Sequence, residues 1–259
     1  MINVSDLNKY SYCPRRIYLE NNLQIKPEPT EAQTFGILGH AVRKEFSLRQ
    51  SKIIKKTDSE KSFKTLLACE LESILKDAPI IYKDKLPKGF EKAVPQLKKE
   101  MRGELKLMEK HFQAMIGDMG IEKTLDYLTP WKVEYSLTSQ NLDMTGRIDK
   151  IYRRDITAPV ELKTGTPSES VWPGDRLQLT AYIMMLEEKI AEEIPYGFIE
   201  YTRILEQKPV NNTEKTRREV IYARDEIQHI LDGHDPGVCP HGNHRKCAGC
   251  QLEEICFKT

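Results

Sequence analysis

The hydrophobic positions of this chain change their spacing about halfway along its 259 residues. Before residue 130, apolar residues recur every three or four positions, as on the buried face of an amphipathic helix. Leu38, Val42 and Phe46, for example, share one face of residues 30–50. The spacing predicts an all-helical first half, with helices over residues 6–12 (capped by Ser5), 15–22, 30–50, 59–76 and 90–116.

After residue 130 the pattern alternates between apolar and polar positions, which is typical of half-buried strands. Three such segments, separated by short polar turns, predict an antiparallel meander. A loop and a strongly periodic helix follow, and the pattern then returns to short apolar runs. The predicted elements are strands over 131–138, 144–153, 158–164, 196–202 and 219–223, a loop over 165–174, helices over 175–190 and 224–232, and a terminal loop.

Together these elements predict an α/β (α+β) fold in which a mixed sheet is flanked by helices. The composition, 39% hydrophobic and 31% charged, is that of a globular rather than a disordered protein. We expect a single domain over residues 1–259. Its parts are an N-terminal helical segment (1–50), a helical insertion (51–127), a core that carries the chemistry (128–232) and a cysteine-rich tail (233–259).

Charge and composition narrow the function classes. The formal net charge is +1, so any surface that binds nucleic acid must be a local patch. The first residues lack the basic start and apolar run of a signal peptide, and no apolar stretch is long enough to span a membrane. A cytoplasmic protein is therefore expected, and its six cysteines suggest metal ligation rather than disulfides.

An acidic pair and a lysine lie in the middle of the predicted meander. Glu161 and Lys163 are two residues apart on one predicted strand, so their side chains point to the same face. Asp149 lies on the preceding strand, and a short turn at residues 154–157 would bring it beside Glu161. Two carboxylates and a lysine can bind divalent cations, hold a phosphate oxygen and activate a water. The alternative is an ordinary exposed sheet face.

Cysteines lie near both ends of the chain. Cys13 is close to the start, and Cys247, Cys250 and Cys256 lie near the end at the spacing Cys-x2-Cys-x5-Cys. Four thiolates suit an iron–sulfur cluster or a tetrahedral zinc ion, and either centre would join the two ends of the chain.

A second set of ligands leaves a local zinc site open as an alternative. Cys239, His241 and His244 lie just upstream of the last cysteines, and either histidine with Cys239, Cys247 and Cys250 would complete four ligands. The sixth cysteine, Cys69, falls inside a predicted amphipathic helix and is expected to be buried.

The order of these motifs resembles that of the PD-(D/E)XK nucleases, which have a restriction-endonuclease-like core. Asp149, in Gly-Arg-Ile-Asp, is followed by Glu161-Leu-Lys163. His40 and the pair Gln178 and Tyr182 resemble the histidine and the Gln-x3-Tyr signature of the exonuclease branch. The four cysteines are similar to those of its iron–sulfur members, the AddB/RecB-like recombination nucleases and the CRISPR-associated Cas4 exonucleases. The opening Val-Ser-Asp-Leu makes Cas4 the nearest family, over residues 1–49 and 130–259.

The resemblance implies a role for each matching residue. Asp149 and Glu161 would bind Mg²⁺ or Mn²⁺ together with His40, and Lys163 would act in catalysis, with Gln178 and Tyr182 supporting the site. An iron–sulfur cluster, 4Fe-4S in preference to 2Fe-2S, would be bound by Cys13, Cys247, Cys250 and Cys256 and would join the N-terminal and C-terminal segments. Phosphate contacts are expected from Arg15, Arg16, Arg147 and Arg176.

The resemblance also implies an activity. Members of the Cas4 family degrade single-stranded DNA exonucleolytically, and they process prespacers alongside the CRISPR integrase. We therefore expect a metal-dependent exonuclease acting 5′ to 3′ on single strands or DNA overhangs. Two alternatives remain, a PD-(D/E)XK recombination, repair or mobile-element nuclease without a CRISPR role, and a non-cutting DNA-binding adaptor with a structural zinc site.

Overall fold

A computed structural model describes residues 1–25, 27–56, 63–84, 86–165 and 168–259. The first four residues of the predicted helix 59–76 and residues 166 and 167 of the predicted loop lie outside this part. The helices are α1 (Val4–Tyr12), α2 (Pro14–Ile17) with a π-helical turn (Tyr18–Asn22), α3 (Glu31–Lys55), α4 (Phe63–Ile81), α5 (Val94–Met119) after a 3-10 turn (Phe90–Ala93), α6 (Ile121–Leu128), α7 (Pro173–Ile190), α8 (Glu214–Leu231), α9 (His244–Ala248) and α10 (Glu253–Cys256).

Six strands form one mixed sheet, β1 (Ile2–Asn3), β2 (Lys132–Ser139), β3 (Met144–Arg153), β4 (Thr157–Lys163), β5 (Tyr196–Tyr201) and β6 (Glu206–Asn211). The predicted meander β2–β3–β4 is antiparallel, while β1 pairs with β3 and β4 with β5 in parallel. An antiparallel β6 closes the edge beside β5. The predicted mixed sheet flanked by helices is confirmed.

The main core lies between the sheet and the helices α1, α7 and α8. α7 is buried almost around its circumference, and its buried residues run from Gly174 to Leu186. Helix α1 packs against α7 and begins with a capping box, in which Asn3 accepts from the Ser5 backbone N–H and Asp6 accepts from the Asn3 backbone N–H. The predicted N-cap, Ser5, is therefore two residues too late, because the side chain of Asn3 already satisfies the helix start.

Helices α3 to α6 share a second apolar core, which includes Leu38, Leu71, Leu97 and Phe112. Helix α3 continues past the predicted end at residue 50, so the expected boundary between the N-terminal segment and the insertion falls inside one helix. Because α3 also contacts β2, it links this helical bundle to the sheet. Within the described residues, no helix has both the length and the apolar character needed to cross a membrane.

Buried ion pairs lie between the bundle and the sheet, around a cavity of about 290 Å³. Arg43 of α3 binds Glu104 of α5, and both side chains are only 4% exposed. Lys150 of β3 binds Glu200 of β5 at 2.9 Å, also out of solvent. The first pair joins two helices of the bundle, including α3, which carries His40, and the second joins two strands of the sheet.

Removing one partner of a buried pair should cost far more than removing a surface charge. We expect Glu104→Ala to lower the free energy of unfolding by about 3 kcal/mol, because buried Arg43 loses both of its hydrogen bonds to Glu104 and keeps only its pair with Glu100. Glu72→Ala is the matched control. Glu72 of α4 is half-exposed and pairs with Lys98 of α5, so its removal should lower the free energy of unfolding by less than about 1 kcal/mol. Urea unfolding followed by circular dichroism measures both, and equal costs would refute the prediction.

Near the C-terminus, one predicted strand is wrong and one strand was not predicted. The pattern predicts a strand over 219–223 before a helix over 224–232, but Glu214–Leu231 is one helix capped by Thr213. Its buried residues Val220, Ala223, Ile227 and Ile230 have helical spacing. The missing strand is β6, a polar edge strand with one buried residue, Val210, whose sequence lacks a clear alternation.

Two predictions about cysteine-containing segments also need correction. Cys69 is exposed, because the buried face of α4 is formed by Phe63, Leu67, Leu71 and Ile74, and residue 69 falls on the opposite side. The tail is not a plain loop, since it contains the short helices α9 and α10.

Candidate active site

Three potential metal ligands meet where α3 passes over the strands β2 and β3. The imidazole Nε2 of His40 lies 3.0 Å from an oxygen of Asp149 and 3.8 Å from an oxygen of Glu134. One ligand atom from each residue lies within 4.8 Å of the other two. Asp149 and Glu134 are largely buried, while His40 is about one-third exposed, so the group opens to solvent on the side of α3.

Glu134 owes its position to an unusual backbone conformation. The pairing of β2 with β3 is interrupted opposite Asp149, between the pairs Val133–Lys150 and Tyr135–Ile148. Glu134 has a φ of +53° at this point, in the left-handed region that residues other than glycine rarely adopt. Such strain costs about 1 kcal/mol or more and persists where the surrounding structure requires it. Here it brings the Glu134 carboxylate to His40 and Asp149.

Asp149 also connects the two strands that carry the predicted catalytic residues. Its second carboxylate oxygen accepts a hydrogen bond of 2.7 Å from the backbone N–H of Leu162 on β4. Leu162 lies between Glu161 and Lys163, so this hydrogen bond fixes where both residues lie along the sheet relative to Asp149. The expected convergence of Asp149 with the Glu161–Lys163 pair is therefore present in the fold.

Lys163 lies among three partners from β4 and α7. Its ammonium is 2.9 Å from Asp175, 3.2 Å from Glu161 and 3.3 Å from the amide oxygen of Gln178. The amide nitrogen of Gln178 donates to the same Glu161 oxygen at 2.9 Å. Asp175 is held in turn by Asn8 of α1 at 2.6 Å. The lysine is thus oriented by a hydrogen-bond network that involves two helices.

Tyr182 lies between Gln178 and the strand β3. Its hydroxyl lies 3.5 Å from the amide nitrogen of Gln178, one helical turn earlier on α7. Its ring packs directly against Gly146 of β3, where a Cβ atom would approach a ring carbon to 2.8 Å. Glycine at 146 is therefore required for Tyr182 to come this close to the strand.

The site is electrostatically crowded. Burial and the neighbouring charge of Asp149 raise the pKa of Glu161 well above its ordinary range. Burial alone would lower the pKa of His40, but hydrogen bonds to Asp149 and Glu134 raise it to about 10. Burial opposes ionisation of Glu134, yet His40, Lys44 and Arg147 lower its pKa to about 2.

This set of donors fits a small divalent cation. Carboxylate oxygens and an imidazole nitrogen are ligands that Mg²⁺ and Mn²⁺ accept. Glu134, Asp149 and Glu161 bring negative charge into a largely buried space, and before a cation binds a proton on His40 offsets part of it. A cation would replace that proton and relieve the repulsion between the carboxylates.

Metal binding should therefore release protons. Because His40 must be neutral and Glu161 ionised in order to bind a cation, we expect the apparent affinity for Mn²⁺ to rise between pH 6.5 and 8.5, up to about tenfold per pH unit for each proton released. Calorimetric titration in buffers of different ionisation enthalpy counts the protons. His40→Gln should release fewer protons than the unmodified protein, and a pH-independent affinity would contradict the prediction.

The four arginines predicted to contact phosphates lie in different environments. Arg15 is only 2% exposed and binds Asp235, so its guanidinium has no access to a phosphate, and we withdraw it from the candidate DNA contacts. Arg16 binds Glu20 at 2.5 Å, and Arg176 binds Glu219 at 2.8 Å. Arg147 is half-exposed and lies 2.6 Å from Glu134, at the mouth of the site.

The tail packs against the end of α1. Tyr12 donates to the backbone carbonyl of Lys246 at 2.8 Å, and Lys246 donates back to the carbonyl of Tyr12 at 2.9 Å. Burial raises the pKa of the Cys13 thiol, and the nearby thiols of Cys250 and Cys256 add to this effect.

Two further thiols of the tail, those of Cys247 and Cys239, lie close to each other. Burial raises the pKa of Cys247 to about 11, and the thiols of Cys239, Cys13 and Cys256 add to this effect. The sulfur of Cys239 is 3.8 Å from that of Cys247. Among the four cysteines predicted to bind a cluster, Cys250 and Cys256 therefore influence the pKa of Cys13, and Cys13 and Cys256 influence that of Cys247. Of these four cysteines, Cys247 belongs to the group of ligand atoms within 4.8 Å of one another, together with Cys239 and His241.

Two of the site residues, Glu134 and Asp175, were not identified from the sequence. Glu134 was missed because the apolar and polar positions of its strand do not indicate that the pairing with β3 is interrupted there. Asp175 is three residues before Gln178, on the same face of α7, and this i, i+3 spacing is a signal that could have identified it. His244, the second histidine of the alternative zinc site, is exposed, whereas Nε2 of His241 lies 4.0 Å from Cys247 Sγ.

Comparison with known proteins matches the chain to a nuclease family. A family model described as the PD-(D/E)XK nuclease superfamily matches residues 1–257. A CRISPR-associated exonuclease Cas4/endonuclease Cas1 fusion from Leptospira interrogans serogroup Icterohaemorrhagiae serovar Lai (strain 56601) is 27% identical over 130 residues. That match covers 48% of this chain and 24% of the relative, so it spans about a quarter of the relative's length.

A solved structure titled "Crystal structure of SSO0001" aligns with 94% of this chain and 93% of its own. The identity is 15% and the TM-score 0.35, which is too low to support a shared fold.

Proposed function

This chain belongs to the PD-(D/E)XK nuclease superfamily, and on that premise we propose that it is a divalent-metal-dependent exonuclease acting on single-stranded DNA. The observation that carries the proposal is the meeting of His40, Glu134 and Asp149 beside the hydrogen-bonded pair Glu161 and Lys163. A cation site next to a fixed lysine suits hydrolysis of a phosphodiester, in which negative charge builds up on the phosphate.

Each residue has a role in this proposal. His40, Asp149 and Glu161 would hold Mg²⁺ or Mn²⁺, and Glu134 would add a fourth donor. When bound, the metal would supply Lewis-acid polarisation of the scissile phosphate and acidify a water. Lys163 would orient that water or stabilise the charge that develops on the phosphate. Gln178 and Asp175 would hold the lysine, and Tyr182 would hold Gln178, so that little reorganisation is needed during the reaction.

The choice of substrate and biological role rests on similarity. A relative described as a Cas4/Cas1 fusion supports a role in CRISPR adaptation, with prespacer ends or overhangs as substrates and a CRISPR integrase as partner. We infer a 5′ to 3′ direction from the same resemblance. Arg147, Arg16 and Arg176 are the remaining candidates for contacts with the DNA backbone.

An iron–sulfur cluster completes the proposal. Cys13, Cys247, Cys250 and Cys256 would bind it, and four thiolates suit a 4Fe-4S cluster. The tail packs against the end of α1 next to Cys13, and the influence of these thiols on the pKa of Cys13 and of Cys247 supports this assignment. A cluster at this position would fasten the tail to the helix that supplies Asn8, and through Asn8 to Asp175.

A nuclease assay tests the proposed function. Single-stranded oligonucleotides labelled at the 5′ or the 3′ end, and a circular single strand, are incubated with the protein, with and without Mn²⁺. We expect metal-dependent release of mononucleotides or short products from linear DNA only, and mononucleotides from the labelled 5′ end at early times. Lys163→Ala should remove the activity, while Lys189→Ala, on the exposed end of α7, should keep it.

Other results of this assay would favour the alternative functions. Cutting of the circle would replace the exonuclease with an endonuclease. Binding without cleavage under all metal conditions would favour the DNA-binding adaptor. Activity that does not change when the partner integrase is added, or that prefers recombination substrates, would favour a nuclease without a CRISPR role.

A further inference from the structure

The tail contains a second group of potential metal ligands that the nuclease site does not explain. Among the described residues, two groups of three or more histidine, cysteine or acidic side chains bring their ligand atoms within 4.8 Å of one another. One is the group of His40, Glu134 and Asp149. The other is Cys239, His241 and Cys247, and all three are partly buried.

Two distances within this second group are close to the edges of a zinc tetrahedron, and the third, between Cys239 and His241, is within 4.8 Å. Cys239 Sγ and Cys247 Sγ are 3.8 Å apart. With Zn–S bonds of about 2.3 Å and tetrahedral angles, two sulfur ligands of one ion lie about 3.8 Å apart. Nε2 of His241 lies 4.0 Å from Cys247 Sγ, near the corresponding sulfur–nitrogen edge of about 3.6 Å. A single ion therefore suits these three side chains with only a small adjustment of the imidazole.

The backbone of the tail is bent so that Cys239 and His241 face Cys247. Cys239 has a φ of +53° and Gly242 a φ of +62°, both in the left-handed region. The backbone N–H of Gly242 donates to the carbonyl of Cys239 at 3.0 Å, which closes a tight turn around His241. A left-handed cysteine is strained, and such strain persists where surrounding contacts require it.

We propose that Cys239, His241 and Cys247 bind a zinc ion, with Cys250 as the fourth ligand, in competition with the iron–sulfur cluster. Cys247 and Cys250 have the Cys-x2-Cys spacing of structural zinc sites, and the backbone N–H of Cys250 donates to the carbonyl of Cys247 at 2.7 Å. Both metal centres need Cys247 and Cys250, so the tail holds one or the other. The competition rests on the proposed cluster, whereas the zinc site does not depend on it.

Binding through Nε2 of His241 requires one local change. In the structure, Nδ1 of His241 accepts a hydrogen bond of 2.9 Å from the backbone N–H of Asn243. A zinc-bound Nε2 places the imidazole proton on Nδ1, so this hydrogen bond must break. Zinc binding therefore breaks one hydrogen bond and forms the metal–ligand bonds, and the local change is confined to residues 241–243.

Two double variants separate the two sets of ligands. The full chain is loaded either with Zn²⁺ or Co²⁺, or with iron and sulfide without oxygen, and metal content and visible absorption are measured. We expect Cys239→Ser with His241→Ala to weaken zinc binding by at least about 100-fold while keeping the absorption of the cluster. Cys13→Ser with Cys256→Ser should keep zinc binding within about threefold and lose the cluster.

Either of two results would overturn the inference. Zinc binding unchanged in the first double variant would show that Cys239 and His241 are not ligands. Loss of zinc in the second would show that zinc occupies the four-cysteine set instead. Retained helical circular dichroism shows that each variant is folded, and because metal content is measured directly, a failure of the proposed nuclease activity does not affect the result.

Discussion

Replacing Asp149 with asparagine is expected to lower the rate of DNA cleavage by about 1,000-fold or more. Asp149 contacts both His40, at 3.0 Å, and the backbone of the Glu161–Lys163 strand, at 2.7 Å. The variant loses the negative charge that would hold the cation, and a bound cation contributes several kcal/mol to stabilising charge in the transition state.

The fold should survive this substitution. An asparagine oxygen can still accept the hydrogen bond from Leu162, so the strand keeps its position. Asp143→Asn is the matched control, because Asp143 lies just before the same strand and is half-exposed beside the N-terminal amine. Single-turnover cleavage and thermal unfolding are measured on both variants. A cleavage rate within tenfold of the unmodified protein for Asp149→Asn would refute the assignment.

Replacing Glu134 with glutamine is the second change with a large expected effect. We expect the affinity for Mn²⁺ to fall by at least about tenfold, because a charged donor next to His40 and Asp149 becomes neutral. DNA binding measured with a chelator present should not fall, since Arg147 loses its partner at 2.6 Å and becomes free to contact phosphate.

Mn²⁺ affinity and thermal stability, measured together, separate a metal ligand from a structural residue. If Glu134 served only to neutralise Lys44 and Arg147, the variant would lower stability and leave Mn²⁺ affinity unchanged. Glu122→Gln, on the exposed side of α6, is the control for the change of charge. Calorimetric Mn²⁺ titration and thermal unfolding of the three proteins decide between the two roles.

The part of the site that follows from strand periodicity was predictable from sequence. Asp149, Glu161 and Lys163 share a region because adjacent antiparallel strands and a two-residue spacing require it. Gln178 and Tyr182 were predictable for the same reason on a helix, since residues four apart share a face. Both inferences depend on local geometry that repeats in every strand and helix.

The other part depends on tertiary packing that no local pattern encodes. Glu134 reaches the site only because its backbone is left-handed, and the sequence around it gives no sign of this. The strand β6 was missed because an edge strand needs only one buried face, which here amounts to Val210. The segment 219–223 resembles a strand because its apolar positions are too few to separate the two periods until Ile227 and Ile230 are included.

The most direct test of the central claim combines metal binding and cleavage in the same samples. Mn²⁺ is titrated into the unmodified protein and into Asp149→Asn, and the rate of single-stranded DNA cleavage is measured at each metal concentration. We predict that the Mn²⁺ concentration for half-maximal cleavage equals the calorimetric dissociation constant, and that Asp149→Asn loses both. Cleavage that proceeds without metal, or at an unchanged rate in Asp149→Asn, would contradict the claim.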